Sequence, residues 1–221
     1  MIFANLIPES LLDSLAILPA NRAIAGLLRH AERPAIITGE FGNDLNLTEN
    51  GRESCKTLAK NLSMNLNEVY SSPVKRCLQT ANFLLDGVKN SQIQTSSLLG
   101  EPGIFIVNWD QAHNYCREHD PFVIVKELIS KDENPPGFCS STYNTVFDLI
   151  RFLLKKMIKD PGLSLFITHD SILSVVLGII FEDVELEYLW PFYLEAMFFW
   201  EQDSFLHIIY RGKYKKLLWI N

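Results

Sequence analysis

Basic residues are in deficit in this sequence: Lys and Arg number 20 against 26 Asp and Glu, for a formal net charge of -6. Nonspecific nucleic-acid binding needs a basic face, so no nucleic-acid partner is expected. A few focused arginines can still dominate a local cleft, which leaves a small anionic substrate open. Cysteine is also sparse. Cys55, Cys77, Cys116 and Cys139 form no CxxC pair, which argues against a zinc knuckle or a redox motif. They read as reduced thiols of a cytoplasmic protein. Long apolar runs are missing too. The longest, 172–181, is too short to span a bilayer, which takes roughly 20 residues, and no membrane partner is expected. The first 26 residues carry acids and a proline and lack a basic start before an apolar core, so they make a poor signal peptide. There are no internal repeats and no low-complexity tracts.

What remains is the composition of a globular α/β chain. Of the 221 residues, 48% are hydrophobic and 21% charged, enough for one core of useful size, and the whole length 1–221 suits a single domain. Residues 23–28, AIAGLL, form an apolar run that stops at Arg29-His30, as a buried strand feeding a polar loop would. A helix is expected over 48–64, starting at Thr48. Glu68–Ser71 reads as a short strand, and Ser72-Pro73 as the N-cap and first turn of a helix reaching about Leu85. Residues 92–99 suit another strand. Residues 102–140 read as an irregular excursion with some helix, a cap or lid-like insertion. Over 141–159, Val146, Ile150, Leu153, Leu154 and Met157 repeat on one helical face. A strand at 163–167 ends at Thr168-His169-Asp170, and a helix resumes over 172–180. The C-terminal third suggests antiparallel strands. This alternation predicts a mostly parallel sheet covered on both faces, with a site at the carboxyl ends of its strands.

Three such ends collect unusual chemistry. One supplies Arg29, His30 and, a turn later, Arg33; the second supplies Arg76; the third supplies His169 and Asp170. Arginine forks match phosphate oxygens, and helix N-termini favour anions. A neutral imidazole can attack phosphorus, while surrounding positive charge stabilises the equatorial oxygens during in-line transfer.

The stretches LLRHAER at 27–33, LTENG at 47–51, SSPVKRCLQTA at 71–81 and ITHD at 167–170 resemble the histidine phosphatase superfamily in order and spacing. The resemblance implies a three-layer α/β/α fold of the phosphoglycerate mutase-like kind, with a phosphohistidine intermediate. It implies His30 as the nucleophile and Arg29, Arg76 and His169 as the phosphate pocket. Two departures stand out. Ala31 replaces the glycine that usually follows the nucleophile. Asp170 follows the second histidine, as in the acid phosphatase branch, whose RHxxR motif also matches Arg33. SSPVKRCLQTA, and Glu101 in LLGEPG, instead resemble the mutase branch, so the chain carries features of both.

The reading is a metal-independent phosphomonoesterase acting on a small phosphorylated molecule, with no cofactor. The alternatives are a phosphomutase, or a noncatalytic phosphate- or protein-binding module on the same fold. The proton donor is Glu101 or Asp170. Glu101 is placed first, because Asp170 would sit among cations that favour its ionised form, whereas Glu101 would be sheltered beneath 102–140. Preceding Pro102, Glu101 is expected in an extended backbone. His113, Glu118, His119 and Asp120 match no metal-ligand spacing and suit a solvated loop. His207 between apolar residues suits a structural role. Trp190, Phe192, Phe198, Phe199 and Trp200 suit either a core or a subunit interface, which leaves a homodimer open.

Overall fold

The computed structural model describes residues 6–36, 40–85, 92–130 and 133–219. Seven strands form one sheet in the order β3-β2-β4-β1-β5-β6-β7. β1 (Ala23–Arg29), β2 (Leu66–Ser71), β3 (Ile93–Thr95) and β4 (Gly162–Thr168) run parallel. β5 (Ala196–Gln202), β6 (Phe205–Tyr210) and β7 (Lys213–Leu218) extend the sheet antiparallel from β1. The sheet is therefore parallel in its core, as expected, and antiparallel along its C-terminal side.

Alternation along β1 separates two apolar layers, since successive side chains leave opposite faces of a strand. Ile24 and Leu28 pack with Leu58, Cys77 and Ala81. These come from α2 (Glu49–Asn61) and α3 (Lys75–Leu84), and α1 (Glu9–Ala16) lies on the same side through Leu11. Ala25 and Leu27 pack with Leu149, Leu173 and Phe199 on the other face. There the cover is α5 (Pro121–Ile129), α6 (Thr142–Lys156) and α7 (Asp170–Ile180), with α4 (Trp109–Glu118) and α8 (Leu186–Leu189) beside them. This is a three-layer α/β/α arrangement. The expected face of α6 is buried throughout, from Val146 at 0% exposed to Met157 at 6%.

Several expectations need correction. Thr48 does cap α2, its hydroxyl accepting from Gly51 N. Ser72-Pro73, however, precedes α3 rather than opening it: the helix starts at Lys75, with Val74 at the cap and no side-chain cap bond. The Ser72 hydroxyl accepts from Val74 N at 3.3 Å, just ahead of the helix, and also meets His169 Nε2. The stretch 92–99 is strand only over Ile93–Thr95, then a short 3-10 turn over Ser97–Leu99. The excursion 102–140 holds two regular helices, α4 and α5. Its base is closed where Val107 N and Asn108 N donate to Gly137 O and Cys139 N donates to Phe105 O. The cysteines are free thiols. Phe198, Phe199 and Trp200 belong to the core, whereas Phe192 is exposed. His207 stacks on Trp200 and bonds the Tyr214 hydroxyl at 2.8 Å. Among the described residues no helix is long and apolar enough to cross a membrane.

Candidate active site

Parallel strands place all their carboxyl ends on one edge of the sheet, and register brings these ends together. Arg29 closes β1 opposite Thr168, which closes β4, and Ser71 closes β2 opposite Ile167. His30 N then donates to Thr168 O, and Ser72 N to Ile167 O, so both chains stay aligned one residue beyond the strands. His30 and His169 end with ring centroids 5.5 Å apart.

The loop after His30 is held from below. Thr80, one turn beyond Arg76 on α3, accepts from Ala31 N at 3.0 Å. Thr48 N donates to Glu32 O, and α2 packs directly on that peptide: a Cβ on Gly51 would lie 2.4 Å from Glu32 O. The glycine of LTENG is thus a packing requirement of the loop that carries His30.

Arg76 sits between the two imidazoles. Its Nε donates to His30 Nε2 at 3.1 Å, one terminal nitrogen donates to His169 Nδ1 at 3.1 Å, and the other to Gly42 O at 2.8 Å. His30 Nδ1 lies 2.8 Å from Ala31 O. A carbonyl can only accept, so Nδ1 carries the hydrogen and Nε2 presents its lone pair. For His169 the pattern is reversed: Nδ1 accepts from Arg76, so Nε2 carries the hydrogen and meets the Ser72 hydroxyl at 3.0 Å. Burial, then the neighbouring His169 and Arg76, push His30 well below the ordinary imidazole range. Burial and Arg76 push His169 down to about 3, against an opposing pull from Asp170. Both rings are therefore uncharged at neutral pH, and the positive charge of the site resides on guanidiniums.

Arg29 is buried with an ion pair to Asp170 at 2.5 Å, a bond to Pro191 O at 2.6 Å, and the Tyr193 ring 4.1 Å from its guanidinium. Arg33 is half-buried and lines the same cleft as Arg76 and His169. The Nε groups of Arg29 and Arg33 are buried and have no hydrogen-bond partner among the described residues. Such donors are costly to leave unmade, and here they belong to cations on either side of His30 in sequence.

The two carboxylates differ. His169 is the N-cap of α7, and Asp170 is the first helical residue rather than the cap, accepting from Ser171 N. Glu101 stands on the cleft and accepts from Asn43 Nδ2 at 3.4 Å. It is exposed, so it is not sheltered beneath 102–140. Nor is its backbone extended: φ is +60°, a left-handed conformation uncommon outside glycine. The tight reversal from Gly100 explains both. At Gly100 a Cβ would lie 2.4 Å from His169 Nε2, so the chain must pass close against that ring before Glu101 turns outward.

His113, Glu118, His119 and Asp120 lie along α4 and its end, with His119 stacked on Tyr115 and Asp120 capping α5. Among the described residues no group of three or more His, Cys, Asp or Glu could hold a metal. Sequence reasoning missed Thr80 and Tyr193. Thr80 was readable as the residue one turn after Arg76. Tyr193 had no signal, since it arrives from the connection into β5, on the antiparallel side of the sheet.

Solved structures of similar shape are distant in sequence. They include a phosphoserine phosphatase from Entamoeba histolytica bound to 3-phosphoglyceric acid (TM-score 0.54, 19% identity, covering 80% of this chain and 90% of that one). A mycobacterial glucosyl-3-phosphoglycerate phosphatase (0.55, 13%, 89% and 98%) and YhfR of Bacillus stearothermophilus (0.52, 21%, 86% and 96%) are alike at the same level. At these identities the likeness shows the fold. No curated protein matches the chain. The family model of the histidine phosphatase superfamily (branch 1) matches residues 26–200, from β1 into β5, and the chain belongs to that superfamily.

Proposed function

We propose that this protein is a metal-independent phosphomonoesterase that hydrolyses a small phosphorylated molecule through a phosphohistidine on His30. The observation that carries the reading is the state of His30: an uncharged ring whose Nδ1–H is committed to Ala31 O, leaving the Nε2 lone pair toward Arg76. In this reading the phosphoryl group takes Arg76 and the unpartnered donors of Arg29 and Arg33 as its oxygen ligands. His169 adds its Nε2–H. Arg76 Nε–H moves from His30 Nε2 to a phosphoryl oxygen, the freed Nε2 lone pair attacks phosphorus in line, and the bond from phosphorus to the ester oxygen breaks. The positive charge formed on the ring is stabilised by the Nδ1 bond to Ala31 O.

The leaving oxygen takes a proton from a carboxylic acid. The same carboxylate then accepts a proton from the water that attacks the phosphohistidine, releasing inorganic phosphate. Glu101 is the better placed donor. It faces the cleft and is in no ion pair among the described residues, whereas Asp170 is tied to Arg29. Residues 102–140 act as the cap of the pocket, and no cofactor enters the scheme.

Alkaline quenching of the enzyme with a radiolabelled phosphomonoester, in the presence of chelator, tests this directly. Label should be trapped on His30, and His30→Ala should trap none while losing turnover by ~1,000-fold or more with its fold intact. Label on another residue, or a His30→Ala enzyme within roughly tenfold of the parent, would sink the assignment.

A further inference from the structure

The cleft beside Arg76 and His169 holds about 430 Å³, a volume suited to a small organic ligand. Its lining is divided. The strand ends contribute Arg33, Arg76, His169 and Asp170. The body comes from the 102–140 segment, α7 and the chain after α8: Phe105, Trp109, Phe122, Val125, Ile172 and Trp190. Phe122 and Trp190 sit 5.6 Å apart, ring against ring.

Charge is divided in the same way. Among the described residues the cations of the lining are Arg33 and Arg76, both at the strand-end side. The remaining charged lining groups are acids, Glu40, Glu101, Asp120 and Asp170. Asp120 stands exposed at the start of α5, at the rim of the apolar body, where its carboxylate accepts from Phe122 N at 2.8 Å. A second phosphate or carboxylate in that body would meet no cation among the described lining residues, and an anion taken out of water without a partner is disfavoured. An aromatic or alicyclic group would instead remove apolar surface from water on both sides of the contact.

We infer that the leaving group is hydrophobic and ring-sized, so that the substrate is the phosphate monoester of an apolar alcohol carrying no second anionic group. This rests on the phosphatase reading above. It deepens that reading by separating the two jobs of the cleft: guanidiniums hold the phosphoryl end, and the cap selects the other end by apolar contact.

Phosphonates test the selection without turnover, because their phosphorus–carbon bond is not broken by the proposed chemistry. Calorimetry would compare 1-naphthylmethylphosphonate, methylphosphonate and 3-phosphoglycerate on the full chain. The naphthyl compound should bind about tenfold or more tightly than methylphosphonate. Trp109 is 45% exposed, at the first position of α4, so Trp109→Ala should fold. It should cut that preference about threefold or more, and Trp109→Phe should restore it.

Equal affinities, tighter binding of 3-phosphoglycerate, no binding of either phosphonate, or an unchanged preference in Trp109→Ala would each overturn the inference. Turnover of 1-naphthylmethyl phosphate is read separately. Selective binding of the phosphonate without hydrolysis of the ester would leave the ligand class standing and remove the phosphatase reading.

Discussion

The parallel and antiparallel halves of the sheet treat buried charge in opposite ways. Beside β5 and β6, Glu195 is 1% exposed and fully occupied: Ser10, the Phe192 amide, the Tyr210 hydroxyl and two nitrogens of Arg211 all donate to it. The Arg211 guanidinium also reaches Tyr188 O and Trp190 O. At the ends of β1, β2 and β4, buried Arg29 and half-buried Arg33 each keep one donor without a partner among the described residues, and two imidazoles are held uncharged beside them. A satisfied buried network rigidifies a fold. An unsatisfied one calls for an explanation, and the phosphoryl group of the proposed reaction would supply it. Strand direction is the underlying cause. Parallel strands need crossover connections, which gather loops and helix starts at one edge, while hairpins spend their turns at both ends.

The sharpest break between the halves should come from the proton donor. Glu101→Gln should slow hydrolysis of an ester with a poor leaving group by ~100-fold or more, and of one with a good leaving group far less, without loss of stability. Asp170→Asn should not show that selectivity. Steady-state rates on the two esters decide it, and the opposite ordering would assign the acid to Asp170.

Glu195→Gln should do the reverse. Removing the carboxylate leaves Arg211 without its main partner, so the urea midpoint should fall by the equivalent of about 3 kcal/mol. The kcat of the folded enzyme should stay within about tenfold, since the Glu195 carboxylate bonds Ser10, Phe192, Tyr210 and Arg211 and none of the strand-end cations or imidazoles. A large loss of kcat with unchanged stability would erase the distinction drawn between the two networks.

The smallest effect expected is on pH. His30 and His169 have native pKa values pushed below the ordinary 6.5, His169 to about 3. Below pH 6.5 the unfolded chain takes up protons that the native state does not, so stability falls as pH drops from 6.5 toward 3 and is flat with respect to these groups above 6.5. In that window His169 contributes on the order of 1 kcal/mol per pH unit, and His30 acts in the same direction. Urea titrations of the parent and His169→Asn at pH 6.5 and pH 5 should show the variant less pH-sensitive. Equal slopes would mean that His169 is charged in the native state.

Much of this was written locally in the chain. The apolar run before Arg29-His30, the cap at Thr48 and the helical face from Val146 to Met157 depend on neighbours a few residues apart, so the sequence by itself determined these elements and their order. It also determined which residue types stand at the strand ends, because a strand that stops at a polar residue is visible as such.

Tertiary structure alone decided the rest. The tautomer of His30 depends on Ala31 O and on Arg76, which arrives from another element. The outward turn of Glu101 depends on the approach of Gly100 to His169. Tyr193 comes under Arg29 only because β5 lies antiparallel beside β1. The apolar body of the cleft needs α5 and α7 to face one another. Each is a contact between segments far apart in the chain, and side-chain type and spacing carry no record of that approach.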